Sequence, residues 1–228
     1  ITSDPPHHRA ARMVLLPQFT PEAINKLIPT TRMICNDLID RFIGDETCDA
    51  AVDFAQHIPV RVIAGMLGLP PSDGEMFRGW VHGLVEEAIL DDATMVRTLS
   101  EMTAYLLDHV EQRRRSPADD LISYLAADRI DGAPLTDNHI LGTLRLLLIA
   151  GIDTTWSGIG ACLWHLAKTP ADRRRLVAEP ALMQTAIEEF LRAYSPVTMA
   201  RLVAKDTVVG GCPYEKGQMV LLSFPAAN

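Results

Sequence analysis

The stretch LLLIAGIDTTWSGIG, from Leu146 to Gly160, constrains the fold of this chain more than any other part of it. The ten residues from Ile140 to Ile149 carry a single charge, Arg145, and this predicts a buried helix. An Ala-Gly pair and an Asp-Thr-Thr triplet then follow, without the turn signal that would end a helix. The sequence therefore predicts one long central helix, from Thr136 or Asp137 to Lys168, with polar groups in its middle.

Most of the remaining sequence also has helical periodicity, whereas its last part has β-branched and apolar runs. Besides the central helix, the predicted helices are Pro21 to Ile43, Phe54 to Leu67, Asp73 to Ile89, Ala93 to Arg115, Asp119 to Ala127, Ala171 to Val177 and Ala181 to Ala193. The runs ARLVAKDTVV and QMVLLSF predict strands joined by turns at Gly210-Gly211 and Lys216-Gly217, and DRIDGAPLTD predicts a loop. We therefore expect a mainly α fold with a small β-sheet.

The charge and cysteine content exclude several classes of protein. A formal net charge of -8 argues against nucleic-acid binding, because no broad surface is available to neutralise phosphates. We interpret the runs Arg113 to Arg115 and Arg173 to Arg175 as solvated helix ends. The four cysteines lack CxxC spacing, so we expect neither a zinc site nor disulfides, as in a reducing cytoplasm. Because no apolar run reaches about 18 residues, we expect no membrane span.

The polar centre of the long helix has two interpretations. In the first, Gly151 leaves the helix thin beside Asp153 and Thr154, so that a flat ligand or another backbone can approach closely. In the second, Thr154 and Thr155 hydrogen-bond to carbonyls one turn earlier, and Asp153 faces a water-filled crevice. The residues alone leave both open.

Two shorter motifs are equally open when each is taken alone. In EEFLR, Glu189 and Arg192 lie three apart on one helix face, but Glu188 and Arg192 could instead form an ordinary surface pair. In DPPHHRAAR, His8 and Arg12 are four apart and so share a face, as a clamp on an anionic group requires. A solvated basic helix start explains the second motif as well.

In their order along the chain, these motifs resemble those of the cytochrome P450 family, the haem-thiolate monooxygenases, and in particular its soluble bacterial members. AGIDTT (Ala150 to Thr155) is similar to the oxygen-activation motif of that family's long central helix, and EEFLR to its ExxR helix. DPPHHRAAR is similar to the segment that binds the haem propionates. SPVTMARLVAKDTVVGG and KGQMVLLSFPAAN resemble the strands after the ExxR helix, so the resemblance spans nearly the whole chain.

The resemblance implies a cytochrome P450-like fold that is incomplete at both ends, with residues 1–228 forming one partial domain. The implied cofactor is haem b (iron protoporphyrin IX). In the family the iron ligand is a cysteine in a glycine-containing loop, expected here downstream of Asn228, so no metal ligand is expected in this chain. Cys212, in the turn GGCPYEKG, lacks that context.

The resemblance also implies a role for individual residues. Asp153 and Thr154 are the implied catalytic residues, with Thr154 hydrogen-bonding the reacting oxygen and Asp153 relaying protons from solvent. Glu189 and Arg192 brace the proximal side. The implied haem-binding residues are His8, Arg12, Ala150, Gly151, Thr154, Thr155 and Arg201, of which His8, Arg12 and Arg201 bind the propionates. The implied substrate pocket is lined by Leu147, Ala150, Val197, Thr198 and Met199.

The activity implied by the resemblance is insertion of one oxygen atom from O2 into a hydrophobic small molecule, in the cytoplasm and with electrons from NAD(P)H. The electron donor is either a ferredoxin with its ferredoxin reductase, docking on a basic face near Arg9 and Arg12, or a fused reductase. A second interpretation is a haem-free, catalytically inactive fragment or helical scaffold of the same fold.

Overall fold

The computed structural model describes residue 4 and residues 6–87 and 91–227, and the chain divides into two compact units, residues 1–156 and 157–228. The α-helices are α1 His7–Leu15, α2 Pro21–Asn25, α3 Ile28–Ile39, α4 His57–Leu67, α5 Gly74–His82, α6 Asp92–Arg115, α7 Leu121–Ala127, α8 Asp137–Lys168, α9 Pro170–Ala178, α10 Met183–Ala193 and α11 Phe224–Ala227. The strands are β1 Arg129–Ile130, β2 Ala133–Pro134, β3 Met199–Leu202, β4 Thr207–Val209, β5 Cys212–Tyr214 and β6 Met219–Leu222. The mainly α fold with small β elements is confirmed, whereas the single partial domain stays a prediction.

The core of the first unit lies among helices α4 to α8. Each of these helices buries an apolar stripe at helical spacing, since residues three and four apart share one face. The buried side chains are Ile63, Ala64 and Leu67 of α4, Phe77 and Val81 of α5, Met102, Leu106 and Val110 of α6, Ile122 and Leu125 of α7, and Ile140, Leu144, Leu148 and Ile152 of α8. This core holds the first part of α8 in place.

A buried ion pair joins three elements of the first unit and corrects one prediction. Arg113, near the end of α6, donates from Nε to the carboxylate of Asp120 and from Nη2 to the carbonyl of Gly68 (2.9 Å). The side chains of Arg113 and Asp120 are only 18% and 5% exposed. Arg113 is therefore not part of a solvated helix end, because a chain reversal after α6 brings a carboxylate against it. The other run, Arg173 to Arg175, is exposed.

The second unit contains helices α9, α10 and α11 and two separate antiparallel pairs of strands. Strand β3 pairs with β6 and strand β4 pairs with β5, so the small sheet expected from the sequence is two two-stranded ribbons. Gly210 and Gly211, both at positive φ, form the predicted turn between β4 and β5. Among the described residues 157–227 none is fully buried, and Leu191, Leu202 and Leu221 are 49%, 67% and 70% exposed.

The helix predicted from Pro21 to Ile43 is wrong as a single element. The chain forms α2, leaves the helix at Lys26 and Leu27, and forms α3 as far as Ile39. Pro29 explains the interruption, since it has no N–H to donate and its ring excludes a helical carbonyl four residues earlier; it stands instead in the first turn of α3.

Three further boundaries differ from the prediction. Residues Ala50–Ala55 form a π-helix before α4, and Gly83–Glu87 form another after α5. The predicted end of the latter helix, Ile89, lies outside the described residues. The predicted loop DRIDGAPLTD contains the hairpin β1–β2, because Asp131 and Gly132 both adopt positive φ (52° and 81°), as a two-residue hairpin turn requires.

Helix α8 is long and apolar enough to cross a membrane, judged by length and composition alone. The mean hydropathy of its 18-residue window is 1.5, and 11% of that window is buried. Core helices of globular proteins pass the same test, so this single helix is weak evidence for a span. The sequence predicted no membrane span, and α8, which carries the polar motif, is one weak candidate for such a span.

Candidate functional site

Helix α8 carries the AGIDTT motif without a break, but only one of its faces is buried. Ile140, Leu144 and Ile152 are fully buried, and Leu148 is 1% exposed. Ala150, on the other side, is exposed. The buried helix that the sequence predicted is therefore buried on one face in this chain, and the polar motif lies where that face of α8 is packed and the opposite face is open.

Thr154 makes the local hydrogen bond that one of the two interpretations predicted. Its hydroxyl donates to the carbonyl of Ala150, one turn earlier, at 2.7 Å. Thr155 is exposed, and Asp153 is half-buried without a hydrogen bond or ion pair to any other described residue. Back-bonding by Thr154 does not exclude a functional role, because the hydroxyl oxygen keeps its lone pairs and the carboxylate of Asp153 remains free to exchange protons.

Gly151 lies against helix α4 rather than beside open space. A Cβ atom placed on it would lie 3.6 Å from Cδ1 and 3.7 Å from Cγ1 of Ile63, which is ordinary van der Waals contact. The hydrogen of Gly151 thus faces the core of the first unit, which corrects the expectation that this glycine opens the helix toward a flat ligand. Ala150, the residue before Gly151, is small and exposed.

A groove between α1 and α8 brings His8 and Arg12 to the central helix. It encloses a cavity of about 430 Å³, lined by His8, Ala11, Arg12, Leu15, Asn138, His139, Gly142, Thr143 and Leu146. Ala150 and Thr154 follow Leu146 at four and eight residues, so they continue the same face of α8. His8 and Arg12 are exposed, and neither forms an ion pair with another described residue.

The side chains that line this groove fit haem, the cofactor that the resemblance implied. One wall is an apolar helix face, and the other presents an imidazole and a guanidinium that lack a carboxylate partner among the described residues. A flat apolar molecule with anionic groups at its edge, such as haem with its propionates, complements such walls. No group of three or more His, Cys, Asp or Glu within the described residues is arranged to hold a metal ion, and Cys212 is exposed in β5.

In the second unit, the ExxR residues form a bidentate ion pair. Nε and Nη2 of Arg192 donate to the two carboxylate oxygens of Glu189 at 2.8 and 2.6 Å. The hydrogen bonds from Arg192 lower the pKa of Glu189, and those to Glu189 raise the pKa of Arg192. Both glutamates are exposed, and the hydrogen bonds identify Glu189 as the member of the EE pair that provides this bidentate contact.

The remaining predicted residues lie on or just before strand β3. Arg201 faces Val220 of β6 in the strand register, and its Nη1 donates to the carbonyl of Ala200 at 2.9 Å. Val197 is half-buried, whereas Thr198 and Met199 are exposed. Binding of a propionate by Arg201 and of substrate by Val197, Thr198 and Met199 stays a prediction.

The sequence reasoning missed a cluster around His165 in the second unit. Its imidazole lies 2.6 Å from the hydroxyl of Tyr194 and 2.9 Å from the carboxylate of Asp172. Asp172 and Tyr194 lie 7 and 29 positions after His165 along the chain, at no spacing that a motif search recognises. The available signal was weak: a polar imidazole in the otherwise apolar run ACLWHLA near the end of α8.

Comparison with known proteins gives a consistent result. Residues 75–228 match the family model described as cytochrome P450. Over 231 residues the chain is 36% identical to cytochrome P450 CYP107DY1 of Priestia megaterium and 36% identical to the vitamin D(3) 25-hydroxylase of Pseudonocardia autotrophica, covering 100% of this chain and 56% and 57% of those proteins. The structure matches cytochrome P450 PksS of the Bacillus subtilis 168 bacillaene polyketide synthase with a TM-score of 0.93 at 29% identity, over 99% of this chain and 58% of that one. The chain thus spans somewhat more than half the length of the curated relatives it matches.

Proposed function

Since the chain belongs to the cytochrome P450 family, we propose that the complete protein is a haem-thiolate monooxygenase. It inserts one oxygen atom from O2 into a hydrophobic small molecule, with electrons from NAD(P)H through a redox partner. The observation that carries this proposal is the groove in which His8 and Arg12 face the helix bearing AGIDTT. The vitamin D(3) 25-hydroxylase among its relatives supports hydroxylation of an apolar substrate.

Haem b is the proposed cofactor, bound along the open face of α8. His8 and Arg12, together with Arg201, bind the propionates through charge-assisted hydrogen bonds. Ala150, Gly151, Thr154 and Thr155 would line the cofactor site along α8, with Ala150 as the small residue that is exposed there. Haem bound through a cysteine thiolate would supply the oxygen chemistry, because the thiolate donates the electron density that favours cleavage of the O–O bond.

Two neighbouring side chains of α8 serve proton transfer, Thr154 by hydrogen-bonding the reacting oxygen and Asp153 by relaying protons. Thr154 lies on the face that continues the groove, and its oxygen presents lone pairs there while its proton is bound by the carbonyl of Ala150. Asp153 is half-buried with an unpaired carboxylate, so it can take protons from solvent and pass them on. A protonatable group within reach of the reacting oxygen is what general acid catalysis requires.

The ExxR pair and the apolar residues have supporting roles. Glu189 and Arg192 brace the proximal side of the cofactor site. The substrate is held by apolar side chains, as in most small-molecule pockets. The proposed pocket residues are Leu147, Ala150, Val197, Thr198 and Met199.

The proposed partners follow from the same reaction. Electrons arrive from a ferredoxin and its ferredoxin reductase or from a fused reductase domain, and an acidic ferredoxin would dock on the basic face near Arg9 and Arg12. The net charge of -8 disfavours nucleic acid as a partner. We propose a cytoplasmic location, with α8 as the oxygen-activation helix rather than a membrane span.

A reduced-plus-CO difference spectrum of the complete protein tests this function directly. A thiolate-ligated haem gives a Soret band clearly displaced from that of an imidazole-ligated haem. Complete protein that retains no haem would support the second candidate, a haem-free scaffold.

Replacing Thr154 with alanine in the complete enzyme is expected to uncouple electron flow from product formation. Product formed per NAD(P)H consumed should fall by more than about tenfold, because a positioned proton-transfer group contributes about 10²-fold or more. The loss of the hydrogen bond to Ala150 has little effect on folding, since threonine back-bonding in a helix is not stabilising. The measurement compares product with NAD(P)H oxidation. Thr30→Ala, at an exposed position of α3, is the matched control, and coupling equal to wild type in the Thr154 variant would contradict the role.

Replacing Arg12 with alanine is expected to weaken haem retention. Removing a charged hydrogen-bond donor costs about 1.5–3 kcal/mol, so the rate of haem transfer to excess apomyoglobin should rise by about tenfold or more. Arg9→Ala is the control, because Arg9 lies on the same exposed helix but not in the lining of the groove. Equal transfer rates for wild type and both variants would show that Arg12 is not a propionate ligand.

A further inference from the structure

His165, in the last turn of α8, joins three helices of the second unit. Its Nδ1 lies 2.6 Å from the hydroxyl of Tyr194, and its Nε2 lies 2.9 Å from Oδ2 of Asp172. Asp172 belongs to the first turn of α9, and Tyr194 caps the C-terminus of α10. The imidazole also packs edge-on against Phe190 of α10, with 5.2 Å between ring centroids. One side chain thus links the ends of α8, α9 and α10.

The chemistry of the partners fixes the direction of both hydrogen bonds. An ionised carboxylate only accepts hydrogen bonds, so Nε2 of His165 must carry a proton and donate it to Asp172. In a neutral imidazole the other nitrogen then has a free lone pair, so the hydroxyl of Tyr194 donates to Nδ1. Hydrogen bonds in such a chain polarise one another in the same direction, from Tyr194 through His165 to Asp172.

Tyr194 connects this series of hydrogen bonds to the ExxR motif. It lies two residues after Arg192, and its backbone N–H donates to the carbonyl of Phe190 at 2.9 Å, closing the last turn of α10. That turn carries Arg192, whose guanidinium pairs with Glu189. Since Glu189 and Arg192 are largely in contact with solvent, a surface pair of this kind contributes little to fixing the helix end. The side chain of His165 is more enclosed, at 24% exposed.

We propose that His165 is a positioning residue for the ExxR helix. Through the contacts of Nε2 with Asp172 and of Nδ1 with Tyr194, it holds the last turn of α10 against α8 and α9, and so sets the position of Arg192. This proposal rests on the proposed function only for its second consequence, that a correctly placed Arg192 supports haem binding.

Two substitutions at His165 separate hydrogen bonding from packing. His165→Phe keeps an aromatic ring against Phe190 but removes both hydrogen bonds. His165→Gln keeps one acceptor and one donor on a side chain of similar reach. In the complete protein, amide hydrogen exchange in the last turn of α10 should accelerate about tenfold in His165→Phe, since a hydrogen bond to a charged group contributes about 1.5 kcal/mol. His165→Gln should return most of the protection.

Nitrogen-15 NMR of the histidine rings gives a readout that packing alone would not change. At about pH 8, where an ordinary imidazole is neutral, His165 should be protonated on Nε2 and unprotonated on Nδ1. Tyr194→Phe should accelerate exchange as His165→Phe does, and the double variant should add nothing further. An Nδ1-protonated ring, unchanged exchange in His165→Phe, or equal loss in the Gln and Phe variants would each overturn the proposal.

Haem retention separates the two consequences. His165→Phe should lower the fraction of complete protein that gives the thiolate-type CO spectrum, and His165→Gln should restore it. Faster exchange with unchanged haem content would overturn the link from α10 to the cofactor. If wild-type protein binds no haem, the proposed function fails, while the exchange and NMR results still decide the role of His165.

Discussion

Replacing Asp120 with alanine is expected to lower the free energy of unfolding by about 3–5 kcal/mol, the usual effect of removing one partner of a buried ion pair. The carboxylate accepts the hydrogen bond from Arg113 and also caps α7 through the backbone N–H of Ser123 at 2.8 Å. Without it, the guanidinium of Arg113 stays beneath the surface with only the Gly68 carbonyl as a partner. Chemical denaturation of the complete protein, followed by circular dichroism, measures the effect.

The effect of this substitution should depend on pH in a defined direction. Burial by itself would raise the pKa of Asp120, but the hydrogen bonds from the Ser123 amide and from Arg113 outweigh it and lower that pKa. A carboxyl whose pKa is lower in the folded state stabilises the protein above its unfolded-state pKa, and this stabilisation disappears as the pH falls through the folded-state value. The difference between wild type and Asp120→Ala should therefore narrow below about pH 4.

Asp119→Ala is the matched control for Asp120. Asp119 precedes it in the same chain reversal and is exposed, so its loss should change stability by no more than about 0.5 kcal/mol. If both variants unfold at the same denaturant concentration as wild type, the pair between Arg113 and Asp120 does not hold the three elements together. The close packing at this contact is also evident at Gly68, because a Cβ there would overlap the carboxylate of Asp120.

Replacing Leu148 with alanine is the second change with a large expected effect, about 2–5 kcal/mol of lost stability. Leu148 is 1% exposed in the core between α8 and its neighbours, so its truncation leaves a cavity. Leu147, the next residue, is half-buried at the edge of the same core. Its replacement by alanine should cost only about 1 kcal/mol, the share of transfer energy that a half-buried leucine contributes.

The two leucines thus compare a buried and a half-buried position on one helix. Thermal unfolding of the haem-free protein should show the larger loss of stability for Leu148→Ala, and substrate affinity of the haem-bound protein tests the proposed pocket role of Leu147. Equal loss of stability in the two variants would contradict the difference in burial between the two side chains.

The features that the sequence predicted well depend on local patterns. Helix α8 begins and ends where predicted, because Thr136 caps its first turn and Pro170 follows its end. The pairing of Glu189 with Arg192 depends only on a spacing of three residues. The first turn of α3 shows the limit of periodicity: a proline changed the path of the chain although the apolar pattern continued.

The features that were not predictable depend on contacts between distant parts of the chain. Arg113 belongs to a run of three arginines, and only the position of Asp120 distinguishes it from its solvated neighbours. The side to which Gly151 faces depends on how α8 packs on Ile63 of α4. His165 meets Tyr194, 29 residues away, only once α10 has folded back along α8.

The hydrogen bond from Thr154 to Ala150 determines which hydrogen-bonding role the Thr154 hydroxyl can offer to another molecule. A hydroxyl has one proton, and here the carbonyl of Ala150 binds it, so the oxygen is left as an acceptor. A molecule that bonds to this oxygen without displacing that proton must therefore be a hydrogen-bond donor. Asp153, the preceding residue, has no hydrogen bond or ion pair to another described residue, so of these two neighbouring polar side chains only that of Thr154 is bound by the helix backbone.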